Sequence, residues 1–224
     1  MRKKGILFNE VQWNQLLDTK EASLLDGQRK HFEKVLRRSI YEFIALNGNG
    51  QLVSGIVEDN KFHASGSLIS IQRKTEVSII AANLKKKASE FLVQKLTEIG
   101  VANITFFNTE YAHSELEEDT RLDAIAKNAC EQSFNPFLPK ITLTAQTLYD
   151  LRLDANQVYY GDVNSPEKLG PTESKSVAML IGPEGGWSDK ELTWLKNNFR
   201  GVSFSANVLR AETASIVASG ILLS

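Results

Sequence analysis

The sequence predicts an α/β protein, with a C-terminal parallel sheet covered by helices on both faces and a small N-terminal β-barrel. From residue 73 onward, short apolar runs alternate with segments of helical periodicity, a pattern typical of a parallel sheet between helices. Residues 41–71 instead hold several short strand-like runs separated by turn residues, which favours a small barrel. The apolar run 177–181 ends at a glycine, as expected of a strand buried on both faces.

Length and composition agree with two soluble domains. A chain of 224 residues exceeds one typical domain, and we predict a boundary that separates residues 1–72 from residues 73–224. The 42% hydrophobic and 24% charged content is that of a globular protein, and no apolar run is long enough to span a membrane. We therefore expect a cytoplasmic protein with no membrane contact.

The cysteine and histidine residues argue against a disulfide and against a metal site. Cys130 is the single cysteine, so no internal disulfide can form, and this fits a reducing compartment. The three histidines and Cys130 lack the spacing of metal ligands, so we expect no bound metal.

Charge is distributed unevenly along the chain, although the net charge is −1. Residues 1–100 contain 16 Lys and Arg against 11 Asp and Glu, and residues 101–224 contain 10 against 16. A basic N-terminal half can neutralise phosphates. Ordinary surface scatter explains a difference of this size equally well.

The N-terminal domain is predicted to hold one helix followed by short strands. The helix spans residues 22–34, and the turns between the later strands are Asn47–Gly50 and Asp59–Asn60, whose residues tolerate positive φ. The predicted strands are 41–46, 52–57, 61–64 and 67–71.

The C-terminal domain is predicted to alternate strands and helices. Its strands are 77–82, 103–107, 157–161, 177–181 and 202–205, and its helices are 85–99, 116–133, 188–198 and 212–223. Residues 164–176 are predicted to form a surface loop. The last helix is apolar on all sides, which indicates burial in a core or a dimer contact.

A glycine-rich loop follows the buried strand 177–181. Gly182-Pro183-Glu184-Gly185-Gly186 breaks the strand, and Ser188 with Glu191 forms the capping box that begins a helix. Loops at the carboxyl ends of strands are where open α/β sheets bind ligands, and adjacent glycines let the backbone approach a ligand closely.

Two motifs resemble those of a known family. The sequence GPEGG at 182–186, followed by LRAETA at 209–214, is similar to the RsmE family of ribosomal RNA methyltransferases, which belongs to the SPOUT class. Residues 31–37 (HFEKVLR), 90–101 and 129–133 (ACEQS) are similar to further elements of that family. The resemblance implies a trefoil-knotted sheet, a PUA-like RNA-binding barrel, a homodimer, and transfer of methyl from S-adenosylmethionine (SAM) to N3 of a uridine in 16S rRNA of the small ribosomal subunit.

The resemblance also assigns residues to roles. Arg210 would stabilise a uracil anion, with Glu212 and Thr213 orienting the loop or the nucleobase. Glu184 is a second candidate, as the general base or as a partner of Arg210. The residues expected to bind the cofactor are Leu180, Ile181, Gly182, Pro183, Gly185, Gly186, Val208, Leu209 and Thr213. The residues expected to contact RNA phosphates are Arg29, Lys30, Lys34, Arg37, Arg38 and Lys95.

Each of these assignments has a simpler alternative. The basic cluster 29–38 could be a solvated helix face, Lys95 and Glu98 an exposed pair, and Arg210 with Glu212 an ion pair at a helix N-terminus. The chain also departs from the family, which usually has other residues where this chain has Ala88, Tyr111, Asn135 and Asn207. A methyltransferase of the same fold acting on a different RNA, or a non-catalytic RNA-binding relative, are therefore the alternative functions.

Overall fold

A computed structural model describes residues 2–35, 41–112 and 120–224, with no side-chain description for residues 2, 31–35, 41 and 120. The chain forms two compact units. The first comprises Met1–Gln72 and Lys127–Leu138, and the second comprises Arg73–Ala126 and Pro139–Ser224. Residues 127–138 thus group with the N-terminal residues, whereas the predicted boundary after residue 72 places them in the C-terminal domain.

In its described residues, the first unit contains a six-stranded sheet, two whole helices and the C-terminal part of a third. In chain order its elements are β1 (Arg2–Leu7), α1 (Glu10–Thr19), β2 (Glu21–Ser23), α2 (Asp26–Val35), β3 (Tyr41–Leu46), β4 (Gln51–Glu58), β5 (Lys61–Ala64) and β6 (Ile69–Ser70). The strand order of the sheet is β1-β3-β4-β5-β2, with β6 paired to β4; β1 and β3 are parallel and the other pairs are antiparallel.

The four predicted strands of this unit are confirmed, and the predicted turn joins the first two of them. Asn47 Oδ1 accepts hydrogen bonds from the backbone N–H groups of Asn49 (2.7 Å) and Gln51 (2.9 Å). Gly48 and Gly50 have φ values of 77° and 92°, which a side chain would disfavour.

The predicted helix at residues 22–34 begins too early. Ala22 lies instead in β2, opposite Phe62 of β5, and is fully buried. Pairing with a distant strand overrides the local helical preference of these residues. Strand β1 and helix α1 were not predicted at all.

Residues 127–138 form hydrogen bonds with the N-terminal segment of the first unit. Glu131 Oε1 accepts a hydrogen bond from Leu7 N (2.9 Å), Gly50 N donates to Pro136 O (2.8 Å), and Leu138 N donates to Gly48 O (2.9 Å). Among the described residues, the unit's core is formed by buried residues of α1, of the sheet and of the adjoining loops, including Ile6, Phe8, Trp13, Leu16, Phe43 and Phe62.

The second unit is built on a six-stranded sheet whose strands are β7 (Glu76–Ala82), β8 (Asn103–Asn108), β9 (Lys140–Thr147), β10 (Gln157–Gly161), β11 (Ser176–Ile181) and β12 (Arg200–Val202). Their order in the sheet is β12-β10-β11-β7-β8-β9, and every neighbouring pair is parallel. Its helices are α3 (Lys86–Ile99), the first part of α4 (Thr120–Ser133), a 3-10 turn (Leu148–Asp150), α5 (Asp189–Asn198) and α6 (Ala211–Leu222). The predicted α/β class is therefore confirmed.

Strand β11 lies inside this sheet, between β10 and β7. All five residues of its apolar run 177–181 are at most 3% exposed, which confirms the prediction of a strand buried on both faces. The predicted strand 202–205 lies earlier in the chain than expected, as β12 at Arg200–Val202. Strand β9, at the edge of the sheet, was not predicted. Across the described ranges, no helix is long and apolar enough to cross a membrane.

Candidate functional site

A cavity of about 370 Å³ lies where three neighbouring strands of the second unit end. Strands β12, β10 and β11 are parallel, so their carboxyl ends meet at one edge of the sheet. The loops that follow them supply most of the lining, together with the start of α6. This edge is where open α/β sheets bind their ligands.

The glycine-rich loop after β11 is held against the end of β10. Trp187 Nε1 donates a hydrogen bond to Gly161 O (3.1 Å). A Cβ at Gly182 would lie 2.9 Å from the Trp187 ring, so a side chain there would displace the indole. Gly186 N donates to Pro183 O (2.9 Å), and Gly186 has a φ of 76°, which favours glycine.

The loop after β10 is tied to β12. Asp162 N donates to Val202 O (3.0 Å), and Ser165 Oγ donates to Gly201 O (2.6 Å). The buried Ser203 hydroxyl donates a hydrogen bond to Ser165 O (2.9 Å). These bonds fix two of the three cavity loops to each other.

Helix α5 begins with the predicted capping box, which is confirmed. Ser188 Oγ accepts from Glu191 N (3.2 Å) and Glu191 Oε2 accepts from Ser188 N (2.9 Å). Glu191 is 2% exposed, and its Oε1 also accepts from Glu110 N (3.0 Å). The buried carboxylate therefore fastens the segment after β8 to the start of α5.

Helix α6 begins at the cavity, which its residues Ala211 and Ala214 line. Arg210 is its N-cap residue, makes no side-chain cap and is exposed. Glu212 lies in the first turn, and its Oε2 is buried with no hydrogen-bond partner in the described part of the chain. Such an atom is an available acceptor.

The structure brings most of the expected cofactor residues to the cavity. Ile181, Gly182, Pro183, Gly185, Gly186, Val208 and Leu209 line it, as does Glu184. Leu180 is fully buried in the hydrophobic core, while Thr213, Arg210 and Glu212 lie outside the lining. Lining residues that are not among the predicted cofactor residues include Gly161, Asp162, Val163, Asn164, Trp187, Leu192, Ser203 and Phe204.

A signal for the missed residues existed in the sequence. The strand ending at Gly161 was predicted, and the loop after any parallel strand is a potential ligand contact. What the sequence did not provide is the sheet order, which puts β10 between β11 and β12.

The cavity lining is negatively charged. Among the described residues, the charged side chains that line it are Asp162 and Glu184. Burial, and secondarily the negative charge of Asp162, raise the pKa of Tyr160 at the end of β10. In the described ranges, no group of three or more His, Cys, Asp or Glu could hold a metal ion.

The residues expected to contact RNA differ from one another in exposure and in the partners of their side chains. Arg29 on α2 donates from Nε to Leu24 O (2.8 Å) and lies 3.8 Å from Asp26, whereas Lys30 is exposed. Lys95 on α3 donates to both carboxylate oxygens of Glu98 at 2.9 Å and lies over the Phe91 ring. Lys34 lies in α2, and Arg37 and Arg38 lie outside the described residues.

Comparisons with known proteins agree with this fold. Residues 72–223 match the model of the RNA methyltransferase domain. Two relatives are named Ribosomal RNA small subunit methyltransferase E: one from Mesomycoplasma hyopneumoniae is 29% identical over 64% of this chain. The other, "E 2" from Borreliella burgdorferi, is 30% identical over 63% of this chain. These alignments span 67% and 63% of the relatives' own lengths.

A solved structure shares the fold. It is the Ribosomal RNA small subunit methyltransferase E from Neisseria gonorrhoeae bound to S-adenosyl methionine, with a TM-score of 0.78 and 22% identity. The match covers 98% of this chain and 95% of that one. The chain belongs to the RNA methyltransferase family. The RsmE resemblance drawn from the two motifs is confirmed by the relatives of that name.

Proposed function

We propose that this protein transfers a methyl group from SAM to N3 of a uridine in the 16S rRNA of the small ribosomal subunit. The observation that carries the proposal is the glycine-lined cavity at the ends of β12, β10 and β11, in a chain of the RNA methyltransferase family. The names of the two relatives support small-subunit rRNA as the substrate. The SAM-bound neighbour of the same fold supports the cofactor.

The residues of the cavity fit SAM. A volume of about 370 Å³ falls in the usual range of small-molecule pockets, roughly 300–1,000 Å³. Trp187, Leu192 and Phe204 offer apolar surface to an adenine ring. The glycines of the loop 182–186 expose backbone N–H and C=O groups, which can bind the polar edge of the ring.

Bound SAM supplies a methyl group already activated on a sulfonium ion. The protein must therefore expose the uracil base, align its N3 atom with the methyl group for in-line displacement, and accept the proton that N3 loses. Arg210 is exposed at the N-cap of α6 and stabilises the developing uracil anion by charge-assisted hydrogen bonds. Glu212, whose Oε2 is a buried acceptor with no partner among the described residues, or Glu184 on the cavity lining, accepts the proton. Thr213 orients the loop or the base.

The proposal includes the finer architecture implied by the family. The parallel sheet carries a trefoil knot of the SPOUT type, and the sheet of the first unit is a PUA-like barrel that binds RNA. Two chains form a homodimer, and the protein acts in the cytoplasm without a metal. The phosphate contacts are Arg29, Lys30, Lys34, Arg37, Arg38 and Lys95, of which exposed Lys30 is the best supported.

Mass mapping of nucleosides tests the substrate. Small subunits from a strain lacking the gene would be incubated with the purified protein and SAM, and N3-methyluridine in their rRNA would be measured. We expect the modified nucleoside to be missing before incubation and present after it. Unchanged rRNA with intact SAM binding would instead favour a different RNA, which the departures at Ala88, Tyr111 and Asn207 make the second candidate. A protein that neither methylates the rRNA nor binds SAM would instead be a non-catalytic RNA-binding relative.

Replacing Arg210 tests the proposed mechanism. We expect Arg210→Ala to lower the single-turnover rate of methyl transfer by about 100-fold or more, the usual effect of removing one anion-stabilising donor. SAM affinity, measured by calorimetry, should change less than about threefold, because the Arg210 side chain lies outside the cavity lining.

Arg152→Ala is the matched control, since Arg152 is also an exposed arginine of the second unit. It should transfer methyl groups at the wild-type rate. An Arg210→Ala protein that matches this control in rate and in RNA binding would contradict the assignment.

A further inference from the structure

Asp162, one of the two carboxylates that line the cavity, has no role in the function proposed so far. No lysine, arginine or histidine is among the described residues that line it, and its two carboxylates belong to Asp162 and Glu184. Glu184 is exposed, whereas Asp162 is half-buried. Because solvent screens an exposed charge more strongly, Asp162 contributes most of the negative potential inside the cavity.

The position of Asp162 is fixed by its neighbours. It follows the last residue of β10, and its backbone N–H donates to Val202 O (3.0 Å). Its Oδ1 accepts a hydrogen bond from Asn164 N (2.9 Å), while Oδ2 has no hydrogen-bond partner within the described chain. The carboxylate is thus held at the cavity with one oxygen available to a ligand.

We propose that Asp162 is the residue by which the cavity distinguishes the methyl donor from its demethylated product. This inference rests on the proposed function, in which SAM occupies the cavity. SAM and S-adenosylhomocysteine share adenosine, ammonium and carboxylate groups and differ in the sulfur, which is a sulfonium cation in SAM and a neutral thioether in the product. A nearby carboxylate attracts the cation and gains little from the thioether. Asp162 therefore favours binding of the donor and release of the product.

The test compares three ligands on the full-length protein by calorimetry: SAM, S-adenosylhomocysteine and methylthioadenosine, which lacks the amino-acid part and the charge. Asp162→Asn keeps the size of the side chain and keeps an oxygen that accepts from Asn164 N. It removes the negative charge and replaces the other oxygen with an NH2 group. We expect the dissociation constant for SAM to rise about tenfold or more, the effect of losing one interaction with a charged group. Those for the two neutral-sulfur ligands should rise less than about threefold.

The control variant is Asp154→Asn, which makes the same change in net charge at an exposed position outside the cavity lining. It should bind all three ligands as the wild type does. Equal losses for all three ligands in Asp162→Asn would mean that Asp162 contacts the adenosine, and equal losses for SAM and S-adenosylhomocysteine alone would mean that it contacts the ammonium group. Either result, or no loss, overturns the inference. If the wild-type protein binds none of the ligands, the proposed function itself fails.

Discussion

At the scale of single residues, the partly buried carboxyl group of Glu131 lowers the stability of the folded protein when it is ionised. Burial raises its pKa, and the hydrogen bond from Leu7 N opposes that rise in part. Between the unfolded and the raised folded pKa, the folded chain binds more protons than the unfolded chain, so the stability of the wild type falls as pH increases through this window. The ionised Glu131 is therefore a destabilising group at neutral pH.

We expect Glu131→Gln to raise the free energy of unfolding at pH 7. The amide is neutral, and its oxygen still accepts from Leu7 N. The advantage should shrink towards pH 4, where the wild-type carboxyl group becomes protonated. Urea unfolding at both pH values measures the effect, with Glu173→Gln, at an exposed glutamate, as the control without a pH-dependent gain. A variant less stable than the wild type at pH 7 would show that the charge itself is needed.

At the scale of elements, the sequence predicted best where one local pattern decides the structure. The run 177–181 identifies β11, and Ser188 with Glu191 identifies the start of α5, because both signals lie within a few residues. Strand β1 was missed because its residues (RKKGIL) are largely polar and obtain their structure by pairing with β3. Asp162 was missed as a cavity residue for a similar reason, since only the sheet order brings the end of β10 beside the glycine-rich loop.

The capping box of α5 gives a prediction at this scale. Ser188→Ala removes the acceptor for Glu191 N and should lower the free energy of unfolding by about 1 kcal/mol, the usual cost of losing a serine N-cap. Lys190→Ala, at an exposed position in the same helix, should leave stability nearly unchanged. Thermal unfolding of the two variants measures the difference, and equal midpoints would mean that the packing of α5 rather than its cap determines its stability.

At the scale of the whole molecule, the first unit is discontinuous in sequence. The hydrogen bonds of Gly50 N and Leu7 N to residues 127–138, and the contact of that segment with Gly5, where an added Cβ would lie within 3 Å of Glu131 backbone atoms, make residues 1–72 incomplete alone. Buried donors without partners cost stability.

We therefore expect a fragment of residues 1–72 to unfold without cooperativity, because it lacks these partners. A fusion of residues 1–72 to residues 127–138 through a flexible glycine-serine linker should unfold cooperatively. Circular dichroism melting curves and the dispersion of amide NMR signals distinguish the two. Cooperative unfolding of the shorter fragment would show that residues 127–138 are dispensable for this unit.

Because the first unit is discontinuous in sequence, the ribosome synthesises its two segments at different times. Residues 1–72 leave the ribosome before the segment that completes them, which is separated from them by residues 73–126. At about 5–20 residues per second, roughly 3 to 13 seconds pass between the emergence of residue 72 and that of residue 138. During this interval the nascent N-terminal sheet has unpaired backbone groups, and it is then most exposed to chaperones and to proteases.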